Sequence, residues 1–297
     1  MNTVLITGAN GFVGHYLAAK LLRSGYKVVA TALGAQRLHL DHPSFQYQSL
    51  DITNRGEVAA TVDQHKPQVV VHCAAMTKPD DCELNKEAAW KVNVTGTENL
   101  LLAVADSLPH FVHLSTDFIF SGTAEQYTED DEANPVNYYG LTKWEAEKSV
   151  QQYKGPWTIV RPILIYGNPQ AGRANILTFV ASALRAGKTV KLFTDQKRRP
   201  TFVADLVWGI EKIIQQQATG VFHFSGNDTL SPFEMGQRVA QYLSLDQNLV
   251  LPVTALDFQQ PAKRPPQTLF HLEKVRERFG YQPTSFAEGL RKTFLDS

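Results

Sequence analysis

Through its first half the chain alternates short apolar runs with longer amphipathic stretches, and this alternation restricts the fold more than any other feature. The apolar runs Thr3–Thr7, Lys27–Thr31, Phe45–Leu50, Gln68–Cys73, Phe111–Ser115 and Trp157–Arg161 are too short for helices and read as buried strands. Between them, Phe12–Arg23, Arg55–Gln64, Lys86–Ser107 and Tyr139–Gln152 carry helical spacing. Strands alternating with helices need crossover connections, which lay the strands parallel and cover both sheet faces. After Pro162 the pattern loosens. Asn175–Ala186 and Val203–Gln217 are expected helices, and Val221–Phe224 a further strand. Ser231-Pro232-Phe233-Glu234 reads as a capping box with proline at the first helical position, and Ser285-Phe286-Ala287-Glu288 as a second box. Pro261–Pro266 is a loop by composition. The expected class is α/β: a doubly wound parallel sheet with a smaller C-terminal α/β lobe.

Composition narrows the partners. Of 297 residues 43% are hydrophobic, enough for one large domain or two packed lobes. Lys plus Arg and Asp plus Glu number 29 each, so no long-range positive field points to nucleic acid or an anionic membrane. Cys73 and Cys82 do not form a C-x-x-C pair or a disulfide framework. The segment Asn2–Gly8 reads as a first strand rather than a signal peptide, and no apolar run reaches the ~18 residues of a membrane helix. The expected compartment is the cytoplasm.

Between the first strand and first helix lies Gly8-Ala9-Asn10-Gly11-Phe12-Val13-Gly14. Glycines permit a tight turn and bring backbone N–H groups close to a pyrophosphate, whose charge the helix N-terminus favours. A plain strand–helix connection is the alternative, but placement directly after a strand favours a dinucleotide and hence a Rossmann-type sheet. The nucleotide-binding domain is expected to comprise residues 1–165 plus about 198–226, with the substrate lobe at about 166–197 and 227–297. The second strand runs into Thr31-Ala32-Leu33-Gly34 without the acid that selects NAD, and Arg37 lies near enough to meet a 2′-phosphate. NADP is therefore favoured, with NAD left open. A solvated loop charge is an equal alternative for Arg37.

Tyr139 and Lys143 stand four apart on one helix face. Ketone reduction requires a proton on oxygen. A tyrosine with its free pKa of about 10 would serve better with an ammonium nearby to stabilise its phenolate. Lys143 is also suited to hold a ribose. A second such pair, Tyr16 and Lys20, lies in the first helix and reads as a surface pair. Tyr139 differs because its helix follows the strand ending His113-Leu114-Ser115-Thr116-Asp117. A hydroxyl at that strand end, Thr116, is placed to meet a substrate carbonyl; the bland alternative is a turn cap.

In order along the chain, Thr7-Gly8-x-x-Gly11-x-x-Gly14, Asp51-Ile52, His72-Cys73-Ala74-Ala75, Asn93-Val94-x-Gly96-Thr97, Ser115-Thr116-Asp117 and Tyr139-x-x-x-Lys143 resemble the extended short-chain dehydrogenase/reductases. A narrower resemblance, to the dTDP-4-dehydrorhamnose reductase family, rests on Ser115–Gly122, Arg161-Pro162-x-x-x-Tyr166-Gly167, Pro200–Leu206 and the run Arg264-Pro265-Pro266-Gln267-Thr268-Leu269. The resemblance implies that Asp51 and Ile52 flank the adenine, that Ala74 and Ala75 line the nucleotide path with Asn93 nearby, and that Thr116, Tyr139 and Lys143 form the catalytic triad. It implies reduction of a 4-keto group on a nucleotide-linked deoxysugar. Departures are Trp144-Glu145-Ala146-Glu147 after the lysine, Phe270-His271 where the late loop often has Asp, and Arg198-Arg199 before Pro200, where a smaller turn is common.

Thr77, Lys78, Asp117, Arg161 and Arg264 are the expected substrate contacts, with Arg161 and Arg264 either phosphate-binding or structural. Asp80, Asp81 and Glu83 read as a solvated face, or as contacts to sugar hydroxyls or a second subunit. A homodimer is left open. His72 is expected to be a core histidine, and His110 and His113 lack a carboxylate or cysteine at ligand spacing, so no metal is expected. Two other readings stay open. One is an epimerase or dehydratase, the latter disfavoured because Phe118 rather than Glu follows Asp117. The other is a non-catalytic, NADP-binding regulatory subunit.

Overall fold

The computed structural model describes residues 2–170, 174–258 and 260–295. Seven parallel strands form the central sheet: β1 (Thr3–Thr7), β2 (Lys27–Ala32), β3 (Phe45–Ser49), β4 (Val69–His72), β5 (His110–Leu114), β6 (Trp157–Pro162) and β7 (Gly220–Phe224). Their order across the sheet is β7-β6-β5-β4-β1-β2-β3. The order reverses between β1 and β4, and ligands of such sheets bind beyond the strand carboxyl ends at that point. Val, Ile and Leu on alternate sides of the strands feed two cores. One holds Val4, Ile6, Val71 and Val112, the other Leu5, Val70, Phe111 and Ile159. This two-sided burial explains the near-continuous apolar runs.

The helix after the glycine turn spans Phe12–Arg23, as its spacing predicts. The stretch expected as one helix over Lys86–Ser107 is instead helix Lys86–Trp90, a π-helical turn Lys91–Thr95 and helix Gly96–Ala103, preceded by an unforeseen helix Pro79–Leu84. Tertiary contacts set this irregularity. Asn93 in the π turn accepts from Met76 N at 2.7 Å and donates to Met76 O and Thr142 Oγ1. At Gly96 a Cβ would come within 2.7 Å of Ile52 Cδ1, so glycine admits that side chain.

A third core gathers Tyr166, Leu177, Val180, Met235, Val239, Phe286 and Leu290 in the C-terminal lobe. Ser231 and Glu234 form the expected capping box. At Ser285 only half of one forms: Ser285 Oγ accepts from Glu288 N, while the Glu288 carboxylate turns to Arg291. Phe270, Leu272, Val275, Phe279 and Tyr281, expected in the lobe, pack with the sheet core. Among the described residues no helix is long and apolar enough to cross a membrane.

Candidate active site

The glycine turn divides into structural and accessible positions. Gly8 has φ +70°, and a Cβ there would lie 2.6 Å from Ala74 N; one at Gly14 would lie 2.6 Å from Ala9 Cα and Gly8 O. Both positions are closed by backbone. Gly11 is exposed, caps the Phe12–Arg23 helix with φ −82°, and a Cβ there would meet only Gly8 O at 3.0 Å. No side chain caps this N-terminus and its first turn has no acid. The turn therefore fits a pyrophosphate, with N–H groups beyond Gly11 as donors. Gly11→Val is expected to leave the melting temperature near wild type yet weaken NADPH binding by about tenfold or more, the scale of one or two lost charge-assisted bonds. Calorimetric titration checks this; unchanged affinity in the folded variant would reduce the turn to a connection.

Asn10 and Tyr47 fix the loop after β2. Asn10 Nδ2 donates to Ala35 O at 2.9 Å, its Oδ1 accepts from Arg37 N at 2.9 Å, and Tyr47 OH donates to Gly34 O at 2.6 Å. With Leu38 buried just beyond, Arg37 is held by its backbone while its side chain stays exposed. Thr31, by contrast, is wholly buried and its hydroxyl donates to Ile6 O. Asp51 Oδ1 accepts from Thr53 N, and Ile52 is buried against the helix at Gly96. Ala74 and Ala75 are partly exposed after β4. Asn93, expected beside the nucleotide, is 1% exposed and uses its amide to bracket Met76 and Thr142. Its role is to fasten the loop after β4 to the Tyr139 helix.

That helix spans Tyr138–Gln151, capped by Asn137, whose Oδ1 accepts from Gly140 N. At Gly140 a Cβ would lie 2.1 Å from Phe118 O, so only glycine lets the helix seat against the turn that carries Thr116. Thr116 lies close enough to the Tyr139 phenol to influence its titration, while its hydroxyl bonds Asp117 Oδ1 and Phe118 N. Burial is the largest influence on Tyr139 and raises its pKa, with Thr116 acting in the opposite sense. The expected phenolate stabilisation by Lys143 is not what the geometry provides: Lys143 Nζ hydrogen-bonds His113 Nε2 at 3.0 Å. Tyr139 therefore holds its proton near neutrality, the state a ketone oxygen requires. The similar pair in the first helix is structural, since Tyr16 OH donates to Asn168 O and Lys20 pairs with Glu211 at 3.0 Å.

The expected substrate contacts do not all converge. Thr77 and Lys78 are exposed on the loop after β4, with Lys78 Nζ 3.5 Å from Asp81. Arg161 is a correction: it is 2% exposed, and its guanidinium holds the Glu147 carboxylate at 2.6 Å, with Ser115 donating to the same carboxylate. No face of it is left for a phosphate. Asp117 is likewise buried, accepting from Thr268 and lying 3.8 Å from Arg198 Nε. Arg264 makes a two-pronged bond to Asp80, which also accepts from Ala262 N, and this holds the Asp80 carboxyl below its ordinary pKa. Asn137 Nδ2 donates to Lys263 O in the same segment. The Ala262–Thr268 stretch is thus fastened beside Asp80, Asn137 and Asp117. Arg198, whose partners the sequence does not disclose, donates to Pro265 O and Pro266 O and completes that attachment. His72 is the core histidine expected, bonded to Thr7 and Thr97.

A reversing parallel sheet, an uncapped glycine turn at its switch point, and a buried Tyr139–Thr116 pair beside Lys143 define an NAD(P)-dependent oxidoreductase of the extended short-chain dehydrogenase/reductase class. Comparison with known proteins narrows this. The chain belongs to the family described as RmlD substrate binding domain, whose profile matches residues 1–297. It is 31% identical over 307 residues to a dTDP-4-dehydrorhamnose reductase of Aggregatibacter actinomycetemcomitans, covering 98% of each chain. It is 28% identical to methionine adenosyltransferase 2 subunit beta of Xenopus laevis, covering 97% of this chain and 86% of that one. The crystal structure of a dTDP-4-dehydrorhamnose reductase from Bacillus anthracis in complex with NADP superposes with a TM-score of 0.85 at 29% identity, covering 100% of this chain and 99% of the other.

Proposed function

We propose that this protein reduces a 4-keto group on a nucleotide-linked deoxysugar, with NADPH preferred and NADH an alternative donor. The observation that carries this reading is Tyr139, buried and holding its proton, on a helix seated at Gly140 against the turn that carries Thr116. The reduced nicotinamide supplies a hydride to the carbonyl carbon. Phe12 and Val13 present their N–H groups to the pyrophosphate, the Asp51-Ile52 and Ala74-Ala75 segments line the nucleotide path, and Lys143 holds the ribose. Thr116 orients the keto oxygen and Tyr139 donates its proton there. Thr77, Lys78 and Arg264 would meet the nucleotide-linked phosphates, Arg264 after exchange of its Asp80 partner. The names of the reductase relatives support the substrate class. The subunit-beta relative keeps a non-catalytic role as the second reading. Oxidation of NADPH followed with dTDP-4-dehydrorhamnose decides between them: steady turnover supports the reductase, and cofactor binding without turnover of this or other 4-keto sugar nucleotides supports the regulatory role. Oligomeric state by light scattering tests the homodimer.

The cofactor preference has its own check. Asn10 and Tyr47 fix the backbone leading into Arg37, which supports a role for its exposed guanidinium at the 2′ position of a bound ribose. Arg37→Ala is expected to lower NADPH affinity by about one to two decades while sparing NADH. Equal loss for both cofactors, or none, would remove Arg37 from phosphate recognition.

A further inference from the structure

Behind the Tyr139–Lys143 helix, β5 presents a side chain that the reaction as described does not use. His113 is fully buried, and its Nε2 lies 3.0 Å from Lys143 Nζ. An ammonium has no lone pair, so the ring nitrogen must accept, which puts the proton of the neutral imidazole on Nδ1. Among the described residues that buried Nδ1 has no hydrogen-bond partner. The neighbouring ring of His72, 5.2 Å away between centroids, is arranged differently. Thr97 Oγ1 donates to Asn93 O, so His72 Nε2 donates to Thr97 and its Nδ1 accepts from Thr7. Both nitrogens of His72 serve the core. The polar contact of His113 leads to Lys143, and its other nitrogen goes without a partner, a costly arrangement unless the accepted bond matters.

We propose that His113 is a positioning residue: it accepts one N–H of the Lys143 ammonium and so fixes the direction of the other two, toward the cofactor ribose. A lysine ammonium is a freely rotating donor of three hydrogens, and anchoring one orients the rest. The proposal rests on the reading of Lys143 as a group of the active site. The titratable groups facing the pair are His72 from β4, Cys73 from the loop after it, and Glu147 one turn further along the helix of Lys143. Burial lowers the Lys143 pKa to about 8, against the opposing effects of Glu147 and Cys73. Burial, Lys143 and His72 together keep His113 neutral. Near neutrality the pair is therefore an ammonium against a neutral imidazole, the combination the hydrogen bond requires.

The test uses the whole chain with ¹³C-labelled lysine, its Lys143 resonance identified by its loss in Lys143→Met. Without cofactor, His113→Leu is expected to lower the Lys143 titration midpoint by about one unit, because the charged form loses an acceptor, and His113→Gln to restore it. With NADPH and dTDP-4-dehydrorhamnose, His113→Leu should reduce kcat about tenfold at unchanged KM and move the alkaline limb of the kcat/KM profile to lower pH, again with rescue by Gln. Should His113→Leu not fold, His113→Met removes the nitrogen acceptor with a more adaptable side chain. An unmoved midpoint in a folded acceptor-less variant, or a Gln variant no better than it, overturns the proposal. Wild-type turnover by Lys143→Met overturns the reading of the active site itself, and the catalytic part of this proposal with it.

Discussion

Tyr139→Phe is expected to bind NADPH as the wild type does and to turn over 4-keto substrate about two to four orders of magnitude more slowly, the scale of a lost proton donor. The change removes one oxygen. The ring keeps its edge-on contact with Phe118, at 5.8 Å between centroids, and its place beside Cys82 and Ala89. Thr116 keeps its bond to Phe118 N, so the turn carrying it has a remaining anchor. The glycine turn and Lys143 are untouched, which is why affinity and rate should separate. Single-turnover absorbance of NADPH together with calorimetric affinity makes the measurement. Normal turnover would exclude Tyr139 as proton donor. The wild-type profile carries a related expectation. Burial raises the phenol's pKa, so Tyr139 stays protonated through neutrality. Lys143, lowered by burial to about 8, is charged below that value and neutral above it. The kcat/KM of the free enzyme should therefore fall on the alkaline side near pH 8, from loss of the ammonium.

Glu147→Ala is expected to cost about 3–5 kcal/mol of stability, the scale of breaking a buried ion pair by removing one partner. Glu147 is fully buried and accepts from Arg161 Nε at 3.0 Å and from its terminal nitrogen at 2.6 Å. Without it Arg161 keeps, among the described residues, the Glu129 carbonyl and His223, each at 3.3 Å, and the face of Phe120, while Ser115 loses its acceptor. The guanidinium would then be a buried charge without a counter-ion. Urea unfolding monitored by fluorescence gives the difference directly. The double variant Glu147→Leu, Arg161→Met provides the control: it should be more stable than Glu147→Ala, because no unpaired charge remains. A Glu147→Ala protein as stable as wild type would mean that water reaches Arg161.

The central strands were readable from sequence because burial on both faces leaves runs rich in Val, Ile and Leu that are too short for helices, whereas the edge strand Phe45–Ser49, half-exposed, was marked by its aromatic alternation. The first helix was readable to the residue, its start marked by the glycine turn. The π turn at Lys91–Thr95 was not, since its cause is a side-chain bracket from Asn93 to Met76 and Thr142 rather than any local periodicity. The site divides in the same way. The spacing of Tyr139 and Lys143 and the placement of Gly11 follow from local chain geometry. Arg161 and Asp117 could not be told from ligand-binding residues, because what neutralises or bonds them lies 14 residues away at Glu147 and 151 away at Thr268. His113 left no pattern at all: its partner is 30 positions further along, on a different element.

The attachment of Ala262–Thr268 to Asp80, Asn137 and Asp117 bears on the order in which a ribosome delivers this enzyme. The glycine turn, Thr116, Tyr139 and Lys143 have all emerged long before the segment that borders them, with Asp80 and Arg264 separated by 184 positions. A nascent chain that has completed β7 already holds every strand of the sheet and every residue assigned to the cofactor. It lacks the stretch that meets Asp80, Asn137 and Asp117. Every residue proposed for the cofactor thus precedes the segment that fastens to Asp80, while the sheet core still waits for Phe270, Val275 and Tyr281, so core and attachment are both completed only in about the last tenth of translation.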